Sequence, residues 1–229
     1  SCGRPGRVGR RSGDRGMTRR ELVTFEGLDA AHKDAVRYVY ESSFPLALRA
    51  PWEEVTAGRP DEGLLALLDD DIAGHPPVGL VLYRHLGSTL MTFLRYFVVD
   101  GKRRGLGHGS ALYSELVDHL HAAGRSTLLL DVEDPDARPE GSEDRRHDVR
   151  RIEFYQRLGV SLLPVRQYAP PDHGQVGEQS HLLLMGTSLT DAALTGPTLR
   201  DAVEAVYQYR YGLEPGNPVV RATLQASGL

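Results

Sequence analysis

The sequence predicts a mixed sheet flanked by helices, an α/β fold of the α+β type. Strand-like apolar stretches cluster in the first half of the chain, and helix-like stretches alternate with strands in the second half. A chain of 229 residues is long enough to bury a sizeable core without covalent cross-links. Its single cysteine, Cys2, excludes an intramolecular disulfide framework and a cysteine-based zinc site.

The first half of the chain predicts a strand, two helices and a run of strands. Residues 21–28 have the apolar pattern of a first strand, and Asp29 is a suitable N-cap for a helix over residues 30–41. A second, short helix is expected from Trp52 to just before Arg59. Strands then follow over residues 64–69 and 78–85 and, as one or two strands, over 89–99.

The second half predicts helices between strands. A glycine-rich basic turn over residues 101–110 precedes a strongly amphipathic helix over 111–123. We then expect a buried strand over 126–132, a polar loop over 133–148, a helix over 149–158, strands over 161–165 and 181–188, and a last helix over 198–211. Residues 212–229 give weak signals, so we expect them to trail off without regular structure.

Composition divides the chain into three segments. Residues 1–16 contain five glycines, five arginines and Val8 as their one bulky apolar residue, which predicts a disordered leader. The main domain is expected over residues 17–190, and a C-terminal helical extension over residues 191–229.

Charge and composition argue against several classes of function. The formal net charge of −4 argues against a nucleic-acid-binding protein, and no apolar stretch approaches the length of a membrane span. We therefore expect a cytoplasmic protein without a membrane or nucleic-acid partner. The nine histidines form no metal-binding set, since His119 and His121 lie two apart on a helix and point to different faces. No metal cofactor is expected.

The sharpest local signal is a strand, a glycine-rich turn and an amphipathic helix over residues 97–112. Three glycines in five residues allow backbone N–H groups to converge on one point. The N-terminus of the next helix and the neighbouring Arg103 and Arg104 add positive charge. Together these features predict an anion site that suits a diphosphate.

Three nucleotide-binding patterns compete for this turn. A P-loop fails because Arg103 follows Gly101-Lys102 where Ser or Thr is required. A dinucleotide fingerprint is disfavoured because Ser110 and Leu112 stand where Gly or Ala is required. The third pattern, R/Q-x-x-G-x-G/A, is met by Arg104–Gly109, which resembles the acyl-CoA pyrophosphate loop of the GNAT superfamily of N-acetyltransferases. A glycine-rich turn without a ligand is the alternative.

A second motif strengthens the resemblance. Residues 149–160, VRRIEFYQRLGV, resemble the late helix of that superfamily, and they follow the first motif after an intervening helix and strand. The resemblance implies the GNAT fold, a central mixed, mostly antiparallel twisted sheet flanked by helices and splayed at the acyl-CoA site. It implies transfer of an acyl group, usually acetyl, from acetyl-CoA to a primary amine of a small molecule or peptide. The amine attacks directly in a ternary complex, without an acyl-enzyme.

The resemblance also implies roles for individual residues. Tyr155 aligns with a tyrosine that protonates the departing CoA thiolate, although packing as a core aromatic is the alternative. Glu133 is our choice of general base from three acids that include Asp131 and Asp134, with a solvated loop acid as the alternative. The implied cofactor-binding residues are Phe97, Val98, Val99, Arg104, Gly105, Leu106, Gly107, His108, Gly109 and Ser110.

The sequence departs from the family pattern at Asp148, where an asparagine often contacts CoA. An acid there needs a basic partner, for which Arg150 and Arg151 are candidates. Two loop residues, Tyr168 and His173, are candidate acceptor contacts. The alternative to an enzyme is a catalytically weak or inactive GNAT-fold module that binds acyl-CoA as a sensor or interaction domain.

The C-terminal helix offers a second, structural prediction. Tyr207 and Tyr211 share a face at α-helical spacing. They indicate packing of this helix onto the sheet or onto a second copy of the chain in a homodimer.

Overall fold

The computed structural model describes residues 20–44, 49–171, 181–190 and 192–229. The expected leader lies outside these ranges, as does His173. Within them the strands are β1 (Arg20–Thr24), β2 (Glu62–Asp69), β3 (Pro77–His85), β4 (Met91–Val99), β5 (Thr127–Glu133), β6 (Ser161–Leu162) and β7 (Leu182–Ser188). The helices are α1 (Ala30–Ser43), α2 (Trp52–Val55), α3 (His108–Ala122), α4 (Glu143–Arg157), α5 (Gly196–Ala205) and α6 (Pro218–Ser227).

All seven strands form one sheet in the order β1-β2-β3-β4-β5-β7-β6. Every neighbouring pair is antiparallel except β4 and β5, which run parallel. This mixed, mostly antiparallel sheet confirms the predicted fold class. The single parallel pair requires a crossover, and α3 provides it between β4 and β5.

Alternating side chains on the strands divide the core between two faces of the sheet. One face packs against α3 and α4, and its strand residues include Leu65, Leu128 and Leu130. On the opposite face α1 and α2 cover β2, β3 and the end of β4. Helices α5 and α6 cover the rest of that face, where Phe93 and Leu129 are buried. A seam between the α1–α2 pair and the α5–α6 pair therefore crosses the sheet near β4.

Helix α4 begins earlier than the sequence analysis predicts. The segment 133–148 was expected to be a loop, yet α4 starts at Glu143. The Ser142 side chain accepts a hydrogen bond from the Arg145 N–H at 3.1 Å, and two acids occupy the first turn. These are N-cap signals, and the acids favour the positive end of the helix dipole. The sequence analysis missed this helix start because the acidic composition of residues 133–148 indicated a loop.

The prediction that residues 212–229 lack regular structure is wrong. They contain α6, whose N-cap Asn217 accepts a hydrogen bond from the Val219 N–H at 2.9 Å. Pro218 stands in the first turn, and Gly228 ends the helix with a positive φ of 70°. Asparagine, proline and glycine at these positions are the expected punctuation of a short helix. Val220 and Leu224 bury its apolar side.

Two strands are shorter than expected. Strand β1 ends at Thr24, because residues 25–27 form a turn of 3-10 helix that places the Phe25 ring 5.6 Å from the ring of Trp52. Strand β6 covers only Ser161–Leu162, and Pro164, which has no N–H to donate, follows soon after. The predicted stretch 89–99 is one strand, β4.

Candidate functional site

Strands β4 and β5 pair over a short distance only. Within residues 91–99 and 127–133, all of them described, the register consists of Met91–Thr127, Thr92–Leu128 and Phe93–Leu129. Beyond Phe93 and Leu129 the facing edges of the two strands do not pair, which leaves a cleft in the sheet. Unpaired strand edges can hydrogen-bond an extended ligand. Residues 97–99 lie along this edge, as expected for predicted cofactor contacts.

A β-bulge at Arg95 changes which side chains of β4 face the cleft. Leu82 pairs with Tyr96 and Tyr83 pairs with Leu94, so Arg95 is an extra residue without a counterpart on β3. Bulges commonly occur beside active sites, where they redirect side chains. Here the extra residue places Phe97 on the α3–α4 face of the sheet, where α4 packs.

The glycine-rich turn joins β4 to α3 and is exposed. Asp100 accepts a hydrogen bond from the Lys102 N–H at 3.1 Å and begins one turn of 3-10 helix. Gly105 and Gly107 both have a φ of 79°, which side chains rarely adopt. Gly107 is the N-cap of α3 and has no side chain to occupy the first N–H groups of the helix. The amides of this first turn therefore have no intrahelical acceptor, and the helix dipole adds positive charge.

The two sequence motifs meet in space. A Cβ at Gly109 would lie 3.2 Å from the ring carbons of Phe154, which is closer than most Cβ contacts, so a side chain here would push against α4. Phe154 in turn packs on Phe97 and Tyr155, with ring centroids 5.8 and 5.3 Å apart. Phe97, Phe154 and Tyr155 thus form one aromatic cluster. It fixes the positions of β4, the glycine-rich turn and α4 relative to one another.

Tyr155 lies in α4 at this junction. It is buried, and its ring centroid is 6.0 Å from that of Phe97 on β4. Burial raises the pKa of its hydroxyl well above the ordinary value, and the nearby charge of Arg151 opposes that shift in part. A phenol in this environment stays protonated at neutral pH and can donate a proton.

Glu133 is the last residue of β5 and is partly exposed. Its Oε2 accepts a short hydrogen bond from Arg151 Nη1, so the two side chains form an ion pair. Arg151 stands one helical turn before Tyr155 on α4. The ion pair therefore holds the Glu133 side chain at the end of β5, against Arg151 of α4.

Asp131 is surrounded by protein and keeps partial solvent exposure. Its Oδ2 accepts hydrogen bonds from the hydroxyls of Tyr168, at 3.3 Å, and Tyr211. Burial raises the pKa of its carboxyl, while the Tyr211 hydrogen bond and the charge of Arg210 act in the opposite direction. Strand alternation places Asp131 on the same face as Leu129, which is the α5–α6 face. Tyr168, which the sequence analysis names as a candidate acceptor contact, therefore donates its hydroxyl hydrogen bond to Asp131.

His108 begins α3, but its imidazole points inward. The side chain is 3% exposed, and its Nδ1 lies 3.7 Å from Asp69 Oδ2 on β2 without a hydrogen-bond partner in the described chain. Burial lowers the pKa of this histidine, and the charge of Arg20 adds to that effect. His108 can therefore contribute its backbone N–H to the predicted cofactor site, while its ring is buried beside Asp69 of β2.

Asp148 has a partner that the sequence analysis missed. The Nε of Arg138 donates to its Oδ2 at 3.1 Å, and Asp148 is buried. The sequence analysis named Arg150 and Arg151 as candidate partners, but Arg151 pairs with Glu133 instead. Arg138 precedes α4 by a short connection, so the pairing depends on the loop conformation, which residue spacing does not reveal.

The sequence analysis also missed two arginines. Arg95 is the bulge residue of β4, and Arg210 ends a π-helix over Val206–Arg210 that follows α5. Tyr207 in that π-helix is fully buried, accepts a hydrogen bond from the Ala169 N–H at 3.0 Å and packs in the core. This agrees with one of the two predicted alternatives, the packing of this helix onto the sheet. Helices with i→i+5 bonds are rare and often occur at functional sites, but no simple sequence pattern announces them.

A separate shallow cavity of about 570 Å³ opens beside α3, between the end of α4 and the end of β7. Tyr113, Val117, His121, Leu158 and residues 187–190 line it. None of the predicted site residues does. In the described ranges no helix is long and apolar enough to cross a membrane. The same residues contain no group of three or more His, Cys, Asp or Glu side chains placed to hold a metal ion.

Comparisons with known proteins place this geometry in context. Residues 28–160 match the model of the acetyltransferase (GNAT) family. That stretch includes the glycine-rich turn, both walls of the cleft and Tyr155. Comparison with curated proteins gave no match.

Solved structures of similar fold cover most of the chain. A GNAT-family protein from Bacteroides thetaiotaomicron has 21% identity and a TM-score of 0.62, with 86% of this chain and 99% of that chain covered. The ribosomal-protein-S18-alanine N-acetyltransferase of Escherichia coli has 17% identity and a TM-score of 0.52, covering 76% and 97%. An aminoglycoside 6'-N-acetyltransferase solved with coenzyme A has 18% identity and a TM-score of 0.50, covering 76% and 99%.

Proposed function

Because the chain belongs to the acetyltransferase (GNAT) family, we propose that it transfers an acetyl group from acetyl-CoA to a primary amine of a small molecule or peptide. The observation that supports this most directly is the cleft between β4 and β5, which has the glycine-rich turn at one end and Tyr155 beside it. An aminoglycoside N-acetyltransferase of similar fold was solved with coenzyme A, which agrees with this donor.

The turn suits the diphosphate of the donor. Residues 104–107 are exposed and lead into the N-terminus of α3, whose N-cap Gly107 has no side chain to occupy the first N–H groups. Anions bind at such helix ends because the N–H groups and the dipole both favour negative charge. The edge of β4 at Phe97, Val98 and Val99 can hydrogen-bond the extended arm of the donor. Acetyl-CoA supplies the thioester whose carbonyl carbon receives the amine.

In the transfer step, the amine nitrogen bonds to the thioester carbonyl carbon and the carbon–sulfur bond breaks. The leaving thiolate takes a proton, for which Tyr155 is the proposed donor because burial keeps its hydroxyl protonated. The amine loses a proton, and Glu133 is the proposed acceptor, directly or through water. Arg151 positions that carboxylate by its ion pair.

The test is calorimetric titration of the full chain with acetyl-CoA, with NAD as the comparison ligand, followed by measurement of thiol release from acetyl-CoA with a library of amines. We expect micromolar binding of acetyl-CoA, no binding of NAD, and amine-dependent thiol release. Binding of acetyl-CoA without thiol release from any amine would indicate the alternative, a sensor or interaction module. Failure to bind acetyl-CoA would overturn the proposal.

A further inference from the structure

Arg210 is a charged side chain that the transfer step above does not use. The π-helix brings its guanidinium carbon to 5.7 Å from the ring centroid of Phe93 and 5.0 Å from that of Tyr211. Phe93 is the last residue of β4 that pairs with β5, so Arg210 lies where the cleft begins. Its Nε is buried and has no hydrogen-bond acceptor among the described residues.

Arg95 lies near Arg210 and is also incompletely satisfied. Its side chain is 4% exposed, and it donates to Glu62 at 2.6 Å and to Glu54 at 3.2 Å. Both glutamates also pair with Arg59, so two acids and two bases balance here. The Nε of Arg95 nevertheless has no acceptor among the described residues. A buried donor without an acceptor is costly, so this is an unusual arrangement.

Arg210 is the guanidinium to which a further anion can bind. Burial lowers the pKa of Arg210, and the positive charge of Arg95 lowers it further. Arg95 already pairs with Glu54 and Glu62. A carboxylate or phosphate beside Arg210 would offset the burial of its charge, and arginine binds such planar or multidentate anions well.

Asp131 adds the opposite charge at the same place. It contributes to the electrostatic environment of Arg210, and Arg210 to that of Asp131, yet the two form no ion pair in the described structure. Instead the hydroxyls of Tyr168 and Tyr211 bind the carboxylate. The α5–α6 face of the cleft therefore presents a cationic and an anionic group that are held apart.

We propose that the acceptor is an amine that also carries an acidic group, as an α-amino acid does. The carboxylate of the acceptor binds Arg210, and its ammonium group faces Asp131, which Tyr211 joins to Arg210. This inference rests on the proposed function, because it assigns the acceptor class of the same site. It also makes the segment 206–211 a determinant of acceptor specificity.

The test compares each amino acid with its own α-amide, which keeps the amine and neutralises the acid. The common L-amino acids are screened with the full chain for acetyl-CoA-dependent thiol release, and each active one is paired with its amide. Aminoethyl phosphate, a primary amine that carries a phosphate, is tested alongside them to show whether the site prefers a phosphate or a carboxylate. We expect kcat/KM to favour the acid over the amide by about 10- to 100-fold, the range for a hydrogen bond to a charged group.

The Arg210→Gln variant should abolish that preference, because it removes the charge and keeps most of the stem. Arg210→Lys should retain part of it. Arg200→Gln is the matched control, since Arg200 lies on α5 and pairs with Glu204 along its own helix. If Arg210→Gln lowers kcat/KM equally for acid and amide, Arg210 is structural and the inference is wrong.

Binding measurements separate this inference from the proposed function. Calorimetry with amino acids and amides is run on the protein with and without CoA, apart from the acetyl-CoA titration. Acetyl-CoA binding together with equal affinity for acids and amides overturns the inference and leaves the proposed function intact. Failure to bind acetyl-CoA overturns the proposed function and the inference with it.

Discussion

The two faces of the cleft are assembled from different kinds of sequence. The α3–α4 face takes its glycine-rich turn and Tyr155 from two continuous stretches, 97–110 and 149–160. The α5–α6 face collects Asp131, Tyr168 and Arg210 from three parts of the chain that lie far apart in sequence. In the function proposed above, the first face binds the donor and the second binds the acceptor. Substitutions on the two faces should therefore separate donor binding from acceptor preference.

The largest effect is expected at the turn itself. Gly107→Asp should weaken acetyl-CoA binding beyond calorimetric detection, because it places a carboxylate where the backbone must approach a diphosphate. Gly124→Asp is the matched control, since Gly124 follows the opposite end of α3 and has a similar positive φ of 70°. Both variants bear the same backbone strain, but only the first should lose the ligand. Equal affinity of the two variants would contradict the assignment of the turn.

Tyr155→Phe should reduce kcat by about 10²-fold, the lower range for loss of a general acid. The affinity for acetyl-CoA should change little, because the ring and its contacts with Phe97 remain. Tyr113→Phe is the control. Tyr113 is a neighbouring buried tyrosine whose hydroxyl has no hydrogen-bond partner among the described residues. An unchanged kcat in Tyr155→Phe, measured by thiol release, would contradict the proton-donor role.

Glu133→Gln and Asp131→Asn compare the two acids of β5 directly. We expect Glu133→Gln to lower kcat about 10-fold at neutral pH, less than a fully dedicated base because water can share the proton. Asp131→Asn should mainly raise the KM of the acceptor, since it removes the charge proposed to face the ammonium group. Steady-state kinetics with the acceptor varied distinguishes the two patterns. The opposite pattern would exchange the roles of the two acids.

The smallest effect concerns stability. Because burial lowers the pKa of His108 in the folded chain, the unfolded chain binds more protons below the ordinary histidine pKa of about 6.5. The folded chain is therefore stabilised relative to the unfolded chain at a pH above the ordinary histidine pKa. That stabilisation is lost as the pH falls through the lowered pKa of His108. His108→Gln should therefore lose less on acidification, by about 2 °C in Tm between pH 7.5 and 5.5. The exposed His147→Gln is the control, and an equal loss in both variants would contradict this.

The sequence predicted the α3–α4 face well because its signals are local. The glycine-rich turn and the helix that ends in FYQRLG are each a continuous stretch of sequence, and the fold brings the two together. Most strands were also predicted, because buried strands show as apolar runs. The cofactor-binding residues, Tyr155 and Glu133 stay predictions of role, although the structure brings Gly109, Phe97 and Tyr155 together through Phe154.

Neither the bulge at Arg95 nor the α5–α6 face was predicted, for reasons that can be named. Arg95 looks like one polar residue in an apolar strand until the bulge removes its counterpart on β3. Arg210 and Tyr211 read as the end of an ordinary amphipathic helix, and the π-helix changes where they point. Helix α6 was overlooked because its apolar side is short, although Asn217, Pro218 and Gly228 mark its ends. Each case depends on tertiary contacts that spacing alone does not encode.

The π-helix at residues 206–210 has a consequence for how this protein can diversify. Its hydrogen bonds span five residues instead of four, so it contains one residue more than the α-helical path over the same turn. Removing one residue here would close the wide turn to an ordinary α-helical one, and the side chains of that turn, Arg210 among them, would change direction. A change of a single codon's length, outside the family match at 28–160, could thus exchange one acceptor for another while the donor turn stays untouched.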